Sequence, residues 1–414
     1  MVDILSLVDR HERWRAETCL NLQPSENLVS PQVKRALGSD LAGRYTLPWD
    51  GEINGSPVTN AYGGTRYLDE IEAAGEALAR AVFGATYASL KPLSGHVAGM
   101  IGILATTQPG DTILVVDGRH GGYDGYGPDY IPDVLGGTRK VGYLPFDEST
   151  WRTDTPRAVE SIESQRPALV LLGASFLLFP YEIGPLRDAC DTAGSLIGYD
   201  GSHVLGLIAG GAFQRPLAEG ADLLVGSTHK SFFGPQGGIF LTNRDDVWER
   251  ARRQMVWRTL DNVHWNRVAG LAQALSEHRA FGAAYATQVV KNAKALAAEL
   301  DERGFPVRFA AHGYTESHQV LLDGAGLKDA FGLTAQEFST TLERNDIIVD
   351  AVARIGTNEI TRLGATEAEM GEIASLMDEA VRGGSVTEGV HALRSRLQLT
   401  FAFTWPASHS PFGM

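Results

Sequence analysis

The chain has 414 residues, 43% hydrophobic and 21% charged, a length that buries a large core and more than one lobe. With 36 Lys and Arg against 50 Asp and Glu, the formal charge of -14 argues against a general nucleic-acid or anionic-membrane role and leaves room only for a local basic pocket. No apolar run approaches membrane-spanning length, Met1-Val2-Asp3 turns polar too soon for a signal peptide, and Cys19 and Cys190 match no metal or redox motif, so a cytoplasmic protein without a structural disulfide or catalytic metal is expected.

In chain order, Ile71, Gly75, Leu78 and Val82 fall at helical spacing, with Gly84 as a C-cap. Ser94-Gly95-His96 precedes a small-residue helix from Val97 to Gly102. Its first N–H groups and dipole suit a phosphate, although Ser-Gly is also a common cap. Apolar runs at 112–117, 168–173, 194–199, 221–230 and 238–242 read as buried strands. Separated by helical stretches, they predict a mostly parallel sheet covered on both faces. Tyr285, Val289, Ala293, Leu296 and Leu300 form a helical stripe ending near Gly304, and Thr366 with Glu369 reads as a capping box ahead of Met370, Ile373 and Met377. These suit a smaller α+β lobe. The expected division is an N-terminal arm over 1–45, a large domain over 46–275 and a small domain with tail over 276–414. The tail, with Leu397, Leu399, Phe401, Phe403, Trp405 and Pro406, is apolar enough to pack on a neighbouring lobe or subunit.

Chemistry concentrates after the 221–230 run. Lys230 ends the string Ser227-Thr228-His229-Lys230, ahead of Gly234-Pro235-Gln236-Gly237-Gly238. A lysine at an exposed strand end is a solvated charge, whereas one held in a cleft loses proton affinity and becomes able to form a Schiff base. Upstream, Tyr199 leads into Asp200-Gly201-Ser202-His203, where a carboxylate either caps the next helix or keeps a pyridinium nitrogen protonated. Asp and His, then Thr-His-Lys and a glycine loop, on successive buried strands, point to pyridoxal phosphate.

The strings Tyr199-Asp200-Gly201-Ser202-His203, Ser227-Thr228-His229-Lys230, Leu22-Gln23-Pro24-Ser25-Glu26-Asn27 and Arg354-Ile355-Gly356-Thr357 resemble the serine hydroxymethyltransferase branch of fold-type I pyridoxal phosphate enzymes. The likeness covers about residues 20 to 382. Gly234-Pro235-Gln236, Phe281-Gly282, Tyr285-Ala286, Asn292-Ala293-Lys294 and His318-Gln319-Val320 resemble the threonine transaldolases more than the folate enzymes. The resemblance implies an α/β fold of type I, with a mostly parallel seven-stranded sheet in the large domain, and a homodimer with shared active sites. It implies that Lys230 carries the cofactor and that Ser94, Gly95 and His96 hold its phosphate, flanked by Thr228 and His229. Asp200 then meets the ring nitrogen, and Ser175, His203 and Tyr45 complete the pocket. Ser25, Tyr62 and Arg354 bind the amino acid, Arg354 by a bidentate pair to its carboxylate, and Tyr45 and Tyr62 serve the neighbouring subunit.

Three departures bear on the reaction. Where hydroxymethyltransferases have a second histidine stacking on the pyridine ring, this chain reads His120-Gly121-Gly122-Tyr123. Tyr123 is then the stacking residue, unless it packs under the loop and His120 stacks. Leu47 replaces the family's catalytic glutamate, leaving Glu52 or Asp50 as carboxylates in a longer loop that equally fits a solvated turn. Finally, 347–353 runs straight into Arg354 where folate enzymes carry a long loop; Gly118 and Asp124 replace apolar folate contacts; and 257–265 replaces a glycine-rich segment that gives a phosphate contact across the dimer, a role open to Arg258 or His264.

The expected function is a folate-independent aldolase or transaldolase acting at the Cα–Cβ bond of threonine, serine or a related amino acid, with amino-acid and aldehyde substrates. His120, Glu52 or a water moves the hydroxyl proton. The alternatives are a hydroxymethyltransferase with an altered folate site, an aminotransferase or racemase on this scaffold, and a catalytically retired homologue.

Overall fold

The computed structural model describes residues 2–403, apart from the side chains of Trp49, Asp50 and Ile53. Asp50 as a candidate carboxylate, and Trp405 and Pro406 of the tail, therefore lie outside the described residues.

Side chains alternate across a strand, and here both sets are apolar. Ile113, Val115, Leu169, Leu171, Leu223 and Val225 enter one core, while Leu114, Val170, Leu172, Ile197, Tyr199 and Leu224 enter another. A strand buried on both faces belongs inside a parallel sheet clad by helices. Seven strands form it, in the spatial order Tyr87–Ser89, Gly238–Thr242, Leu223–Ser227, Leu196–Asp200, Leu169–Leu172, Thr112–Val115 and Lys140–Tyr143. Gly238–Thr242 is antiparallel to both neighbours, and the other pairings are parallel. The helices Gly95–Thr106 and Asp245–Gln254 contribute Ala98, Ile101, Val247 and Ala251 to one face. Helix Arg66–Phe83, ending on Gly84 at φ 64°, and the long helix Trp265–Glu302 cover the other.

Trp265–Glu302 is one 38-residue rod crossing the expected boundary at 275/276. Its buried stripe changes cores between Val289, in the large lobe, and Ala293, in the small one. The arm also divides. Leu20–Asn21 pairs in parallel with Ile347–Ile348, so Leu20 and Leu22 enter the small-lobe core, whereas Val33 joins the large. The small lobe adds a short pairing of Gln319–Leu321 with Arg354–Gly356, and helix Glu367–Val381 opens on the Thr366 and Glu369 capping box. The tail first forms helix Thr387–Arg396. It then folds onto its own chain, where Phe401 meets Tyr285 and Phe403 meets Phe281. Pro48–Ile53 and Ser56–Asn60 make a separate hairpin.

Candidate active site

Parallel strands deliver loops at their carboxyl ends, and ligands of open α/β sheets bind there. Asp200 and Ser227 end adjacent strands, Ala174 and Ser175 follow the next, and Lys230 lies three residues beyond Ser227. With Gly95, His96, Tyr123, Ser202 and His203 they line one cavity. Two glycines make the approach possible. A Cβ at Gly95 would overlap the Ser227 hydroxyl, and one at Gly173, at φ 154°, would lie 2.6 Å from Asp200 Cβ.

Asp200 accepts from Tyr126 Oη at 2.6 Å, Ser202 Oγ at 2.5 Å and Ser202 N at 2.9 Å. Burial raises the Tyr126 phenol well above its usual range and the Asp200 charge adds to this, so Tyr126 stays a donor. The carboxylate is aimed and fixed, as recognition of a protonated ring nitrogen requires. Ser94 caps helix Gly95–Thr106 by accepting from Val97 N at 3.1 Å. Gly95 and His96, which open this helix, line the cavity and have no intrahelical acceptor for their N–H groups, a helix start suited to an anion. Tyr123 is half-buried, with its hydroxyl 2.9 Å from His96 Nδ1 and its ring edge-on to Tyr126.

Burial lowers the Lys230 amine to about 8, against an opposing contribution from Asp200 and an assisting one from Arg354. Its Nζ lies 3.2 Å from His203 Nε2. The lysine's backbone carbonyl accepts from Asn27 Nδ2 at 2.8 Å, and Asn358 donates to the Glu26 carbonyl. Ser25 is thus carried on a segment pinned beside the lysine. On the far side, Arg354 Nε donates to Asp350 Oδ2 at 2.7 Å, its Nη1 donates to the Ser175 carbonyl, and the guanidinium covers the Phe176 ring.

Not every expected residue arrives. His120 stacks on Phe146 and pairs with Glu148 at 3.0 Å, outside the cavity lining. Thr228 turns away, donating to the Pro235 carbonyl at 2.7 Å and holding the glycine loop closed. His229, lowered to about 4 mainly by burial, lines a different cavity against the N-terminal arm. Tyr45 and Tyr62 stack on each other, and both they and Glu52 are exposed around the hairpin, away from this chain's cavity. Ser202, Ser227, Tyr126 and Gln319 were not expected. Ser202, Ser227 and Gln319 stand inside motif strings and Tyr126 lies three residues after Tyr123, so only the hydrogen bonding was hidden.

The donor set fits pyridoxal phosphate: an amine of lowered proton affinity, a fixed carboxylate opposite it, a helix start for the phosphate and a glycine where a side chain would fill the cradle. The family model for serine hydroxymethyltransferase matches residues 2–377. Serine hydroxymethyltransferases from Korarchaeum cryptofilum and Methanopyrus kandleri are each 39% identical, covering 90% and 95% of this chain and 89% and 93% of their own. An L-threonine transaldolase structure from Pseudomonas fluorescens superposes with a TM-score of 0.86 at 23% identity, over 97% of this chain and 93% of its own, a likeness of fold. The chain belongs to the serine hydroxymethyltransferase family and is a pyridoxal phosphate-dependent enzyme.

Proposed function

We propose that this enzyme breaks and forms the Cα–Cβ bond of a β-hydroxy-α-amino acid such as threonine or serine without folate, as an aldolase or transaldolase. Pyridoxal phosphate, when bound, supplies an electron sink conjugated to Cα. Lys230 would hold the cofactor, and its amine is placed to hold or move a proton beside the reacting carbon. Asp200 holds the proton on the ring nitrogen, with Tyr126 and Ser202 fixing its two oxygens. Tyr123 would cover the ring, and the helix start at Gly95 and His96 would take the phosphate. Arg354 and Ser25 bind the substrate carboxylate, and this orientation selects the Cβ bond for cleavage. The hydroxyl proton leaves to a base on the exposed hairpin of a second subunit, for which Glu52 is the candidate. That assignment, like the exposed Tyr45–Tyr62 pair, calls for a homodimer with shared active sites, and we place the enzyme in the cytoplasm.

The observation that carries folate independence is the turn before Arg354. Asp350 accepts from Val352 N, Arg354 N and Arg354 Nε at 3.1, 2.9 and 2.7 Å, closing 349–353 tightly with no loop to cover a pterin. Asp124 reinforces it: its carboxylate lies 2.5 Å from where a Cβ at Gly118 would sit, putting charge where an apolar contact is needed. The second reading, a tetrahydrofolate-dependent hydroxymethyltransferase, is favoured by the names of the relatives. Cleavage of threonine and serine, with and without tetrahydrofolate, separates the two.

A further inference from the structure

His203 stands beside Lys230, and its usefulness there depends on which ring nitrogen carries the proton. The other side of the ring answers this. His203 Nδ1 lies 3.0 Å from Gln319 Nε2, which also lies 3.0 Å from the Ser175 carbonyl. That carbonyl only accepts, and it already receives Arg354, so the amide atom facing it is the NH2 group. One hydrogen of this group meets Ser175 and the other meets His203 Nδ1, which therefore offers a lone pair. Gln319 is 0% exposed and its Oε1 finds no partner among the described residues. An amide kept at the expense of a buried unpaired oxygen points to a task for its NH2 group.

We infer that Gln319 is a positioning residue that locks His203 as the tautomer protonated on Nε2, which presents an N–H beside Lys230 and donates to that amine only in its neutral form. The inference rests on the reading of Lys230 as the cofactor lysine. His203 then cannot act as a base at Nε2. The groups bearing on the ring are Lys230, Arg354, His318, which stacks at 5.9 Å, and His229. None is a carboxylate that would hold a second proton on it.

The test uses holoenzyme with 15N-labelled histidine, the His203 signals being assigned by their loss in His203→Asn. The wild type should show Nδ1 as a lone-pair nitrogen and Nε2 as N–H, unchanged between about pH 6 and 9, where an ordinary histidine titrates. In Gln319→Glu the carboxylate accepts from Nδ1, so that signal moves to the N–H range and kcat/KM acquires an ionisation near neutrality. Gln319→Leu keeps the size without the donor. There the two tautomers should mix and kcat fall about tenfold, roughly one hydrogen bond's worth, with KM little changed. A proton on Nδ1 in the wild type, or a wild-type pattern in Gln319→Leu, overturns the inference. If Gln319→Glu does not fold, the leucine variant decides. The lysine assignment is read separately, from cofactor attachment in Lys230→Ala, so either idea can fail without the other.

Discussion

Lys230 must be neutral to attack a carbonyl yet sits where solvent cannot stabilise its charge, and the two conditions reinforce each other. Held at about 8 against 10.5 unperturbed, the amine of the cofactor-free protein binds a proton less readily than that of the unfolded chain. Stability therefore rises with pH between those values. Lys230→Met should stabilise the cofactor-free protein by about 3 kcal/mol at neutral pH relative to its effect above pH 10.5. Urea unfolding at both pH values checks this, and an equal difference at both would remove the buried-amine account. Lys230→Ala should lose borohydride-fixable cofactor and all turnover. Asp200→Ala should weaken cofactor binding and slow turnover by about ten- to a hundredfold, the worth of a charged hydrogen bond; unchanged spectra and rates would take Asp200 out of the site. Lys230 and Asp200 stood out in the sequence through their combination, Asp and His, then Thr-His-Lys and a glycine loop on successive buried strands, since each alone reads as a solvated charge or a cap. Tyr126 and Gln319 did not, because a phenol or an amide acquires its role only from the partner that tertiary packing brings to it.

The long helix Trp265–Glu302 joins two lobes whose expected boundary, at 275/276, falls within its first third, and a buried ion pair fastens it. Glu277 Oε2 accepts from Arg362 at 2.7 Å with both side chains 0% exposed, and Ser30 donates to Oε1 at 2.5 Å. Arg362 lies 3.5 Å over Phe233, in the loop after Lys230, and also donates to the Phe401 carbonyl. Arm, helix, lysine loop and tail meet at one charge pair. Glu277→Ala leaves Arg362 buried and unpaired, so it should destabilise by about 3–5 kcal/mol; a loss under about 1 kcal/mol in urea would show that water reaches the guanidinium. The five inner strands were readable because doubly buried strands are continuous apolar runs, and helix Glu367–Val381 because its capping box is local, whereas the short edge strands Tyr87–Ser89 and Lys140–Tyr143 carry no such run. The pairing of Leu20–Asn21 with Ile347–Ile348 was not readable either. Two residues carry no periodicity, and their partners lie more than three hundred positions away.

At the scale of the molecule, one chain leaves apolar surface uncovered. Helix Ile4–Arg13 buries none of its residues and exposes Ile4, Leu5, Leu7 and Val8, and Tyr45 and Tyr62 are 44% and 45% exposed. Such surface suits a partner subunit, and light scattering should give the mass of two chains. Tyr62→Arg should lower both the mass and the activity, while a fully active monomer would end the shared-site account. The central claim is Cα–Cβ chemistry without folate, and one assay addresses it directly. Purified enzyme is given threonine, with acetaldehyde release followed under a panel of acceptor aldehydes, and serine cleavage is compared with and without tetrahydrofolate. Acetaldehyde release from threonine that responds to added aldehyde, and serine cleavage indifferent to tetrahydrofolate, is the predicted result. Strong acceleration of serine cleavage by micromolar tetrahydrofolate would contradict it.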